Sequence, residues 1–296
     1  MLKDKIVVIT GASSGIGAAL AKAVGMEGAK VVLAARREKK LQAIAQEIGA
    51  TGGTALAVSC DVSRKERAEE LIERSIREFG TIDVLVNNAG RGHFAAVEDT
   101  TDDVIREMFA VNVFSLWFTT RPALRRMKAQ GSGHIINVAS MAGKLGYPYN
   151  SAYVAAKHAC VGFTLALRQE LAETGIHASV VCPAGVKTEW ASATEGGPLV
   201  SFFSESGPSI KRIARERGIE LPPVEGVKTA EEIAQRIVEC MHHPVAEVYT
   251  HRGSHEFAML AARDRENAEH HQLPVVLGER EVYERMKKTS GQDAMK

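Results

Sequence analysis

The regular alternation of short apolar runs with longer helical stretches most constrains the fold of this 296-residue chain. The predicted strands are apolar along their whole length, which is typical of a parallel sheet covered by helices on both faces. Such an α/β fold binds ligands beyond the carboxyl ends of its strands. The predicted strands cover residues 5–10, 30–34, 54–59, 82–86, 134–138, 177–181 and 245–250, and helices are predicted near 15–27, 38–48, 64–79, 101–129, 151–173 and 230–242.

Composition excludes several classes of function. The net charge is +1 without a basic stripe, so nucleic-acid binding is not expected. The first apolar run is too short for a secretion signal or a membrane span. The four cysteines form no Cys-x-x-Cys pair, which fits a reducing cytoplasm. Six of the ten histidines fall between residues 242 and 271, but without ligand spacing, so no metal site is expected.

A glycine-rich loop joins the first predicted strand to the first predicted helix. Glycines at this junction let the backbone approach a diphosphate, and the helix N-terminus presents free N–H groups to it. The spacing is Gly-x-x-x-Gly-x-Gly rather than the commoner Gly-x-Gly-x-x-Gly, and a turn without a ligand is the alternative. The loop residues predicted to bind a dinucleotide are Gly11, Ser13, Ser14, Gly15, Ile16 and Gly17.

Two arginines end the second strand, at the place where an NAD-binding fold puts a carboxylate on the adenosine ribose. A guanidinium suits a 2′-phosphate, so NADP(H) is favoured over NAD(H). Arg36 is the preferred contact and Arg37 the second choice. Alternatively, both arginines solvate the next helix, with Glu38 near enough to pair with either.

Further polar residues follow other predicted strands. Asp61 and Val62 end the third strand, and Asn88, Ala89 and Gly90 end the fourth, where short side chains either meet the cofactor or hold a turn. Ser140 follows the fifth strand. Asn112 lies in an apolar helical span, as structural glue or as part of a polar site.

Tyr153 and Lys157 are four residues apart on a predicted helix, so their side chains leave the same face. A neighbouring ammonium favours the phenolate and would bring the pKa of the tyrosine towards working pH, as general acid/base catalysis requires. Taken alone, this spacing is a weak signal, because most such pairs are exposed pairs on an amphipathic helix.

Together these residues resemble the short-chain dehydrogenase/reductase family, over about residues 3–250. The resemblance implies one doubly wound, Rossmann-like domain with seven parallel strands and a nicotinamide cofactor. It makes Tyr153 the catalytic acid/base, Lys157 its partner and a ribose ligand, and Ser140 the donor to the reacting oxygen. Asn112 would support a proton-relay water. The same resemblance adds cofactor contacts at Pro183, Gly185, Val186 and Thr188, although Ala184 stands where the family usually has glycine.

Two segments lie outside the motifs. In the resembling family the region 189–228 closes over the substrate; here its apolar residues indicate either a hydrophobic substrate or packing of this lid onto the body, and it contains Gly196-Gly197-Pro198. Residues 1–250 form the expected catalytic domain. Residues 251–296 are a C-terminal extension, expected to be an arm, a bridge between subunits or a partly disordered end.

The leading hypothesis is an NADP(H)-dependent oxidoreductase acting on a small-to-medium, apolar carbonyl or alcohol. One alternative is an NADP(H)-binding sensor or scaffold without turnover. Another is an acyl-carrier-dependent 3-ketoacyl reductase, whose acidic carrier could meet Arg125 and Arg126. The resemblance also implies a homodimer or homotetramer through the helices at 101–129 and 151–173, where Phe163, Leu167 and Leu171 serve either an interface or the core.

Overall fold

The computed structural model describes residues 2–190, 194 and 199–293, and within them seven parallel strands form one sheet in the order β3-β2-β1-β4-β5-β6-β9. A second pair, β7 with β8, is also parallel. The strand order reverses between β1 and β4, which opens a crevice at their carboxyl ends. The strands are β1 (Ile6–Thr10), β2 (Lys30–Ala35), β3 (Thr54–Ser59), β4 (Val84–Asn87), β5 (Gly133–Val138), β6 (Ile176–Cys182), β7 (Val186–Lys187), β8 (Lys228–Thr229) and β9 (Glu247–Tyr249).

Helices cover both faces of the sheet, and the predicted doubly wound α/β fold is therefore confirmed. Leu20, Leu41 and Ile237 bring α1, α2 and α8 onto one face. Ile72, Met127 and Leu167 bring α3, α5 and α6 onto the other. The helices are α1 (Gly15–Met26), α2 (Glu38–Ala50), α3 (Lys65–Phe79), α4 (Asp102–Phe109), α5 (Ser115–Gln130), α6 (Ser151–Glu170), α7 (Leu199–Arg217), α8 (Ala230–His242), α9 (Ser254–Arg263) and α10 (Arg265–Asp293).

The single helix predicted over 101–129 is interrupted. It begins at Thr101, whose side chain accepts a hydrogen bond from Val104 N, but a π-helical turn (Ala110–Phe114) separates α4 from α5. The Ser115 N–H bonds the Ala110 carbonyl five residues back, so the turn is wider than an α-turn. Such turns are frequent at functional sites, and Asn112 lies in this one.

The region 189–228, which we call the lid, contains α7, and the capping box of Thr229 with Glu232 begins α8 directly after it. Helices α9 and α10 form what we call the C-terminal arm, and α10 packs along α7 and α9. The Gly196-Gly197-Pro198 sequence and the last residues, 294–296, lie outside the described residues.

Three other findings bear on the exclusions drawn from composition. No helix among the described residues combines the length and apolarity needed to cross a membrane. In the same part of the chain, His, Cys, Asp and Glu side chains form no group of three that could hold a metal ion. All four cysteines are buried and free.

Candidate active site

The glycine loop is locked onto the turn that follows β4. The Thr10 hydroxyl accepts hydrogen bonds from Asn88 N and Ala89 N, both at 3.0 Å, and the Asn88 amide donates to Thr10 O at 3.0 Å. Gly11 has a φ of +66°, which favours glycine. A Cβ on Gly17 would lie 2.5 Å from Gly11 O, so only glycine fits there. Asn88 and Ala89 therefore shape the loop, beyond whatever contact they make with a ligand.

The loop fits a dinucleotide diphosphate. Helix α1 begins at Gly15, and its N-cap Ser14 makes no side-chain capping bond to the first-turn N–H groups. Those groups, including Ile16 N and Gly17 N, and the helix dipole offer an anion site. Ser13 is buried at the base of this loop, and Gly15 faces the Thr188 side chain, to which an added Cβ would approach within 3.1 Å.

Arg37, rather than Arg36, reaches the glycine loop. Its Nε donates to Ser13 Oγ at 3.1 Å and its second terminal nitrogen to Ser14 Oγ at 2.5 Å. Arg36 is exposed and makes no hydrogen bond or ion pair with the described residues. The chain turns from β2 into α2 at these two residues. The periodicity of the sequence does not show which of two adjacent arginines is directed towards the glycine loop after such a turn.

Two residues of this cluster escaped the sequence analysis. Glu189, the first residue of the lid, pairs with Arg37 at 2.9 Å and with Lys40 at 2.8 Å. Hydrogen bonds from Lys40 and Arg37 lower the pKa of Glu189. The two cations and two serines thus form an anion-binding cluster, and a carboxylate from a distant segment lies on it. Only the fold could bring position 189 to positions 37 and 40.

Asp61 and Val62 lie at the end of β3, next to the end of β2. Asp61 Oδ1 accepts hydrogen bonds from Ser63 N at 3.0 Å and Ser63 Oγ at 2.7 Å, so this carboxylate holds its own turn. Val62 is buried in the core beneath it. The turn lies on the same edge of the sheet as Arg37.

Ser140, Tyr153 and Lys157 come together at the carboxyl end of β5. Ser140 caps the short 3₁₀ turn Met141–Gly143 by accepting from Ala142 N at 3.1 Å, and its hydroxyl hydrogen-bonds the Tyr153 phenol. Lys157 is 5% exposed and donates to Val138 O at 2.9 Å. Its Nζ lies 5.7 Å from the centre of the Tyr153 ring, the shared face that the sequence spacing predicts.

Burial, rather than the ion-pair effect expected from the sequence, dominates the titration of this pair. It raises the pKa of Tyr153 to about 12, and the hydrogen bond from Ser140 opposes that rise. Burial also lowers the pKa of Lys157. Both shifts favour the neutral forms. A neutral phenol is a competent proton donor to a developing alkoxide.

Asn112 lies near Lys157, and one polar atom of its side chain has no hydrogen-bond partner. Its amide nitrogen donates to Arg91 O at 3.1 Å and Met108 O at 3.0 Å, while Oδ1 is buried and has no hydrogen-bond partner in the described structure. A methyl group on Gly90 would come within 2.8 Å of Oδ1 and 3.4 Å of Lys157 Nζ. The two polar atoms therefore border the same small space above Gly90.

The turn after β6 is held by a histidine that the sequence analysis considered only as a metal ligand. His251 is 3% exposed; its Nε2 donates to Gly185 O at 2.8 Å and its Nδ1 accepts from Ala184 N at 3.3 Å. Both bonds require the neutral ring with the proton on Nε2. Burial lowers the pKa of His251, which favours that form. The ring therefore fixes the backbone of the turn at Ala184 and Gly185.

The remaining predicted contacts follow from this turn. Pro183 O accepts from Met141 N at 2.8 Å, which ties the turn to Ser140. Val186 pairs with Lys228 between β7 and β8, and the Thr188 hydroxyl accepts from Trp190 N at 3.2 Å. Positions 183–188 thus run from Ser140 to the glycine loop.

An aromatic wall stands beside Tyr153. The Trp190 ring lies 5.2 Å from the Tyr153 ring, and Phe94 packs on Phe202 at 4.5 Å. Tyr283 of α10 stacks on Tyr149 at 3.9 Å and accepts from Ala96 N at 3.2 Å. This aromatic wall joins the loop after β4, the loop before α6, the lid and the C-terminal arm. Sequence patterns could not group these residues, because they come from four separate segments.

Known proteins share this architecture. Residues 5–197 match the family model described as short chain dehydrogenase. The chain belongs to the short-chain dehydrogenase family. Members are oxidoreductases of CH–OH and C=O groups that bind a nicotinamide cofactor, so the coarse function expected from the sequence is confirmed.

Individual relatives span different chemistry. The chain is 32% identical to "Ketoacyl reductase HetN" of Nostoc over 83% of this chain and 78% of that protein. It resembles a short chain dehydrogenase/reductase from Burkholderia phymatum in complex with NAD, with a TM-score of 0.76, 29% identity and coverage of 90% and 95%. It also resembles an alcohol dehydrogenase from Thermococcus sibiricus complexed with 5-hydroxy-NADP, with a TM-score of 0.70, 28% identity and coverage of 84% and 97%.

Proposed function

We propose that this protein is an NADP(H)-dependent reductase of carbonyl compounds, or the corresponding alcohol dehydrogenase, with Tyr153 as its acid/base. The observation that carries the proposal is the convergence of Ser140, Tyr153 and Lys157 at the strand edge beside the glycine loop. A bound nicotinamide supplies or accepts the hydride. The chain's own groups must then orient the substrate oxygen and move its proton.

Each side chain has a separate task. Tyr153 gives its phenolic proton to the oxygen as charge develops there, and Ser140 donates a hydrogen bond to the same oxygen. Lys157, fixed by Val138 O, holds the cofactor ribose and stabilises the phenolate that Tyr153 becomes. Asn112 Oδ1 and Lys157 Nζ border the space above Gly90, and a water there would accept one bond and donate another to return the proton.

Replacing Tyr153 by phenylalanine tests the proposal. Because the phenol is the proton donor, kcat for any ketone that the wild type reduces should fall by about 1,000-fold, with the Kd for NADPH nearly unchanged. Tyr249→Phe is the matched control, since its hydroxyl bonds Glu247 and none of the residues assigned to catalysis. A Tyr153→Phe variant as fast as wild type would overturn the assignment. If the wild type binds NADPH but turns over no member of a broad panel of carbonyl compounds and alcohols, the hypothesis of an NADP(H)-binding sensor is favoured instead.

The preference for NADP(H) is supported by the cluster of Arg37, Lys40, Ser13 and Ser14. Two cations beside the glycine loop suit a 2′-phosphate, and the phosphate would take the place of the Glu189 carboxylate. Arg37→Ala should weaken NADPH binding by about 30-fold and NADH binding by less than about threefold, whereas Arg36→Ala should change neither. Equal losses for the two cofactors in Arg37→Ala would contradict this reading.

The aromatic wall favours a compact, largely apolar substrate. The aromatic wall beside Tyr153 offers ring faces, and the arm covers it from outside. The resemblance to ketoacyl reductases keeps a 3-ketoacyl substrate as the second candidate. The arm packs along the lid helix α7, so we expect it to narrow the path that a ketoacyl chain tethered to a carrier protein would need. Comparing free ketones with the carrier-bound ketoacyl group at equal concentration decides between them.

A homodimer or homotetramer is the assembly we propose. Leu167 and Leu171 are buried in the core, but Phe114, Trp117 and Leu165 are at least 36% exposed on α5 and α6 or just before them. Such exposed apolar side chains suit an interface. The four free, buried thiols support a reducing, cytoplasmic setting.

A further inference from the structure

The carboxyl group of Glu279 has no part in the chemistry proposed above. It lies on α10, is only 6% exposed, and makes no hydrogen bond or ion pair with the residues that the structure describes. Burial raises its pKa to about 7. Burying a carboxyl group without a partner costs free energy, so buried acids normally have one. A partner for the Glu279 carboxyl would therefore have to come from a bound molecule.

The face of α10 that carries Glu279 is defined by its neighbours. Gln272, seven residues earlier, donates to Gly146 O at 3.3 Å, and Tyr283, four residues later, stacks on Tyr149. Residues seven and four apart share a helix face. Glu279 therefore faces the segment 146–149, between these two contacts.

That segment leads to the reaction centre. Burial is the main cause of the raised pKa of the Tyr147 phenol, and the charges of Glu279 and Tyr153 add to the rise, so Tyr147 lies within electrostatic reach of both. Tyr283 and Trp190 belong to the same aromatic wall, and Trp190 contacts the Tyr153 ring. Glu279 is thus an acid on the substrate side of the arm.

Neighbouring cations are already engaged. Arg280 hydrogen-bonds the Tyr149 phenol, and Arg212 pairs with Glu281 at 2.7 Å on the outer side of the arm. Above about pH 7 the Glu279 carboxyl is ionised and offers only acceptors, so a partner that a bound molecule supplies to it there is a donor.

We propose that Glu279 determines substrate specificity by accepting a hydrogen bond from a hydroxyl or protonated amine that the substrate carries away from its reacting carbonyl. This rests on the proposed function, because it places the substrate carbonyl at Tyr153. The substrate class becomes a ketone or aldehyde with an apolar, ring-sized body and a donor at its far end. The aromatic wall contacts the body and Glu279 binds the donor.

Three ketones of similar size test this proposal: 4′-(hydroxymethyl)acetophenone, 4′-(aminomethyl)acetophenone and 4′-ethylacetophenone. Their Kd values are measured by calorimetry with enzyme saturated with NADP⁺, which binds ketones without turnover, and kcat/KM is then measured with NADPH. The wild type should bind at least one donor-bearing ketone about tenfold more tightly than the ethyl compound. The result shows which group donates the hydrogen bond that Glu279 accepts: the hydroxyl, the amine or both.

Two variants and a control complete the design. Glu279→Leu should remove the preference while binding the ethyl compound as well as wild type does. Glu279→Gln should keep a preference for the hydroxyl but lose one for the amine, because the amide has no charge. Glu269→Gln removes an exposed acid of the same helix and should change nothing.

Equal affinity of the wild type for all three ketones, or a preference that persists in Glu279→Leu, would overturn the proposal. A Glu279→Leu variant that loses affinity for all three ketones equally would show a purely structural role and would also overturn it. Failure of turnover with intact, Glu279-dependent binding would instead count against the proposed function alone.

Discussion

The proposed cofactor side and the proposed substrate side of this site are built by different means. The cofactor side is held by backbone hydrogen bonds and by glycines with no room for a side chain, as at Gly17 beside Gly11 O. The substrate side is held by ring contacts between distant segments, such as Tyr283 on Tyr149. Backbone geometry tolerates almost no substitution, whereas ring packing tolerates many. Substitutions should therefore be tolerated less well on the first side than on the second.

Lys157 belongs to both sides, and its loss should have the largest effect. In Lys157→Ala, kcat should fall by about 1,000-fold, since the phenolate of Tyr153 loses its partner, and the Kd for NADPH should rise by about tenfold. Stopped-flow hydride transfer and fluorescence titration with NADPH measure the two effects. A variant impaired in only one of them would assign Lys157 to a single side.

Gly17→Ala tests the cofactor side alone. The added methyl would lie 2.5 Å from Gly11 O and 2.6 Å from the Asn88 amide, so the loop must open. The Kd for NADPH should rise by about 100-fold, and the melting temperature should drop. Gly49→Ala in α2 is the control, because an added Cβ meets nothing within 4 Å. Normal NADPH binding by Gly17→Ala would mean that the tight loop is not what shapes the cofactor site.

Tyr283→Ala tests the substrate side alone. It removes the stacking on Tyr149 and the bond from Ala96 N, so KM for a ketone should rise by about tenfold. The Kd for NADPH should stay within about twofold of wild type, because Tyr283 makes no contact with the glycine loop. Steady-state kinetics at saturating NADPH measures the first quantity. Equal losses of ketone and NADPH affinity would show that Tyr283 does not act on the substrate side alone.

His251→Ala should give the smallest effect, about fivefold weaker NADPH binding, because it removes two bonds to a turn that remains covalently intact. The pH dependence sharpens this prediction. Burial lowers the pKa of His251 below its unfolded value, so its stabilisation is present above about pH 6.5 and is lost as the pH falls through the folded pKa. NADPH affinity measured at falling pH should decline in wild type more than in His251→Ala. Parallel profiles would remove His251 from the cofactor site.

Local patterns determined the fold and marked the proposed cofactor side. Wholly apolar strands required a sheet covered on both faces, the glycine spacing marked the turn, and the i, i+4 spacing of Tyr153 and Lys157 placed both on one face. These features depend on residues that are neighbours in the chain, which is why the sequence suffices to find them.

Tertiary structure alone decided the rest. It brought Arg37 rather than Arg36 to the glycine loop, Glu189 to Arg37, His251 to Gly185, and Glu279 to the neighbourhood of Tyr147. It also made burial outweigh the neighbouring ammonium in setting the pKa of Tyr153. These outcomes depend on which distant segments share a surface and how much water they exclude, and no periodicity in the sequence encodes either.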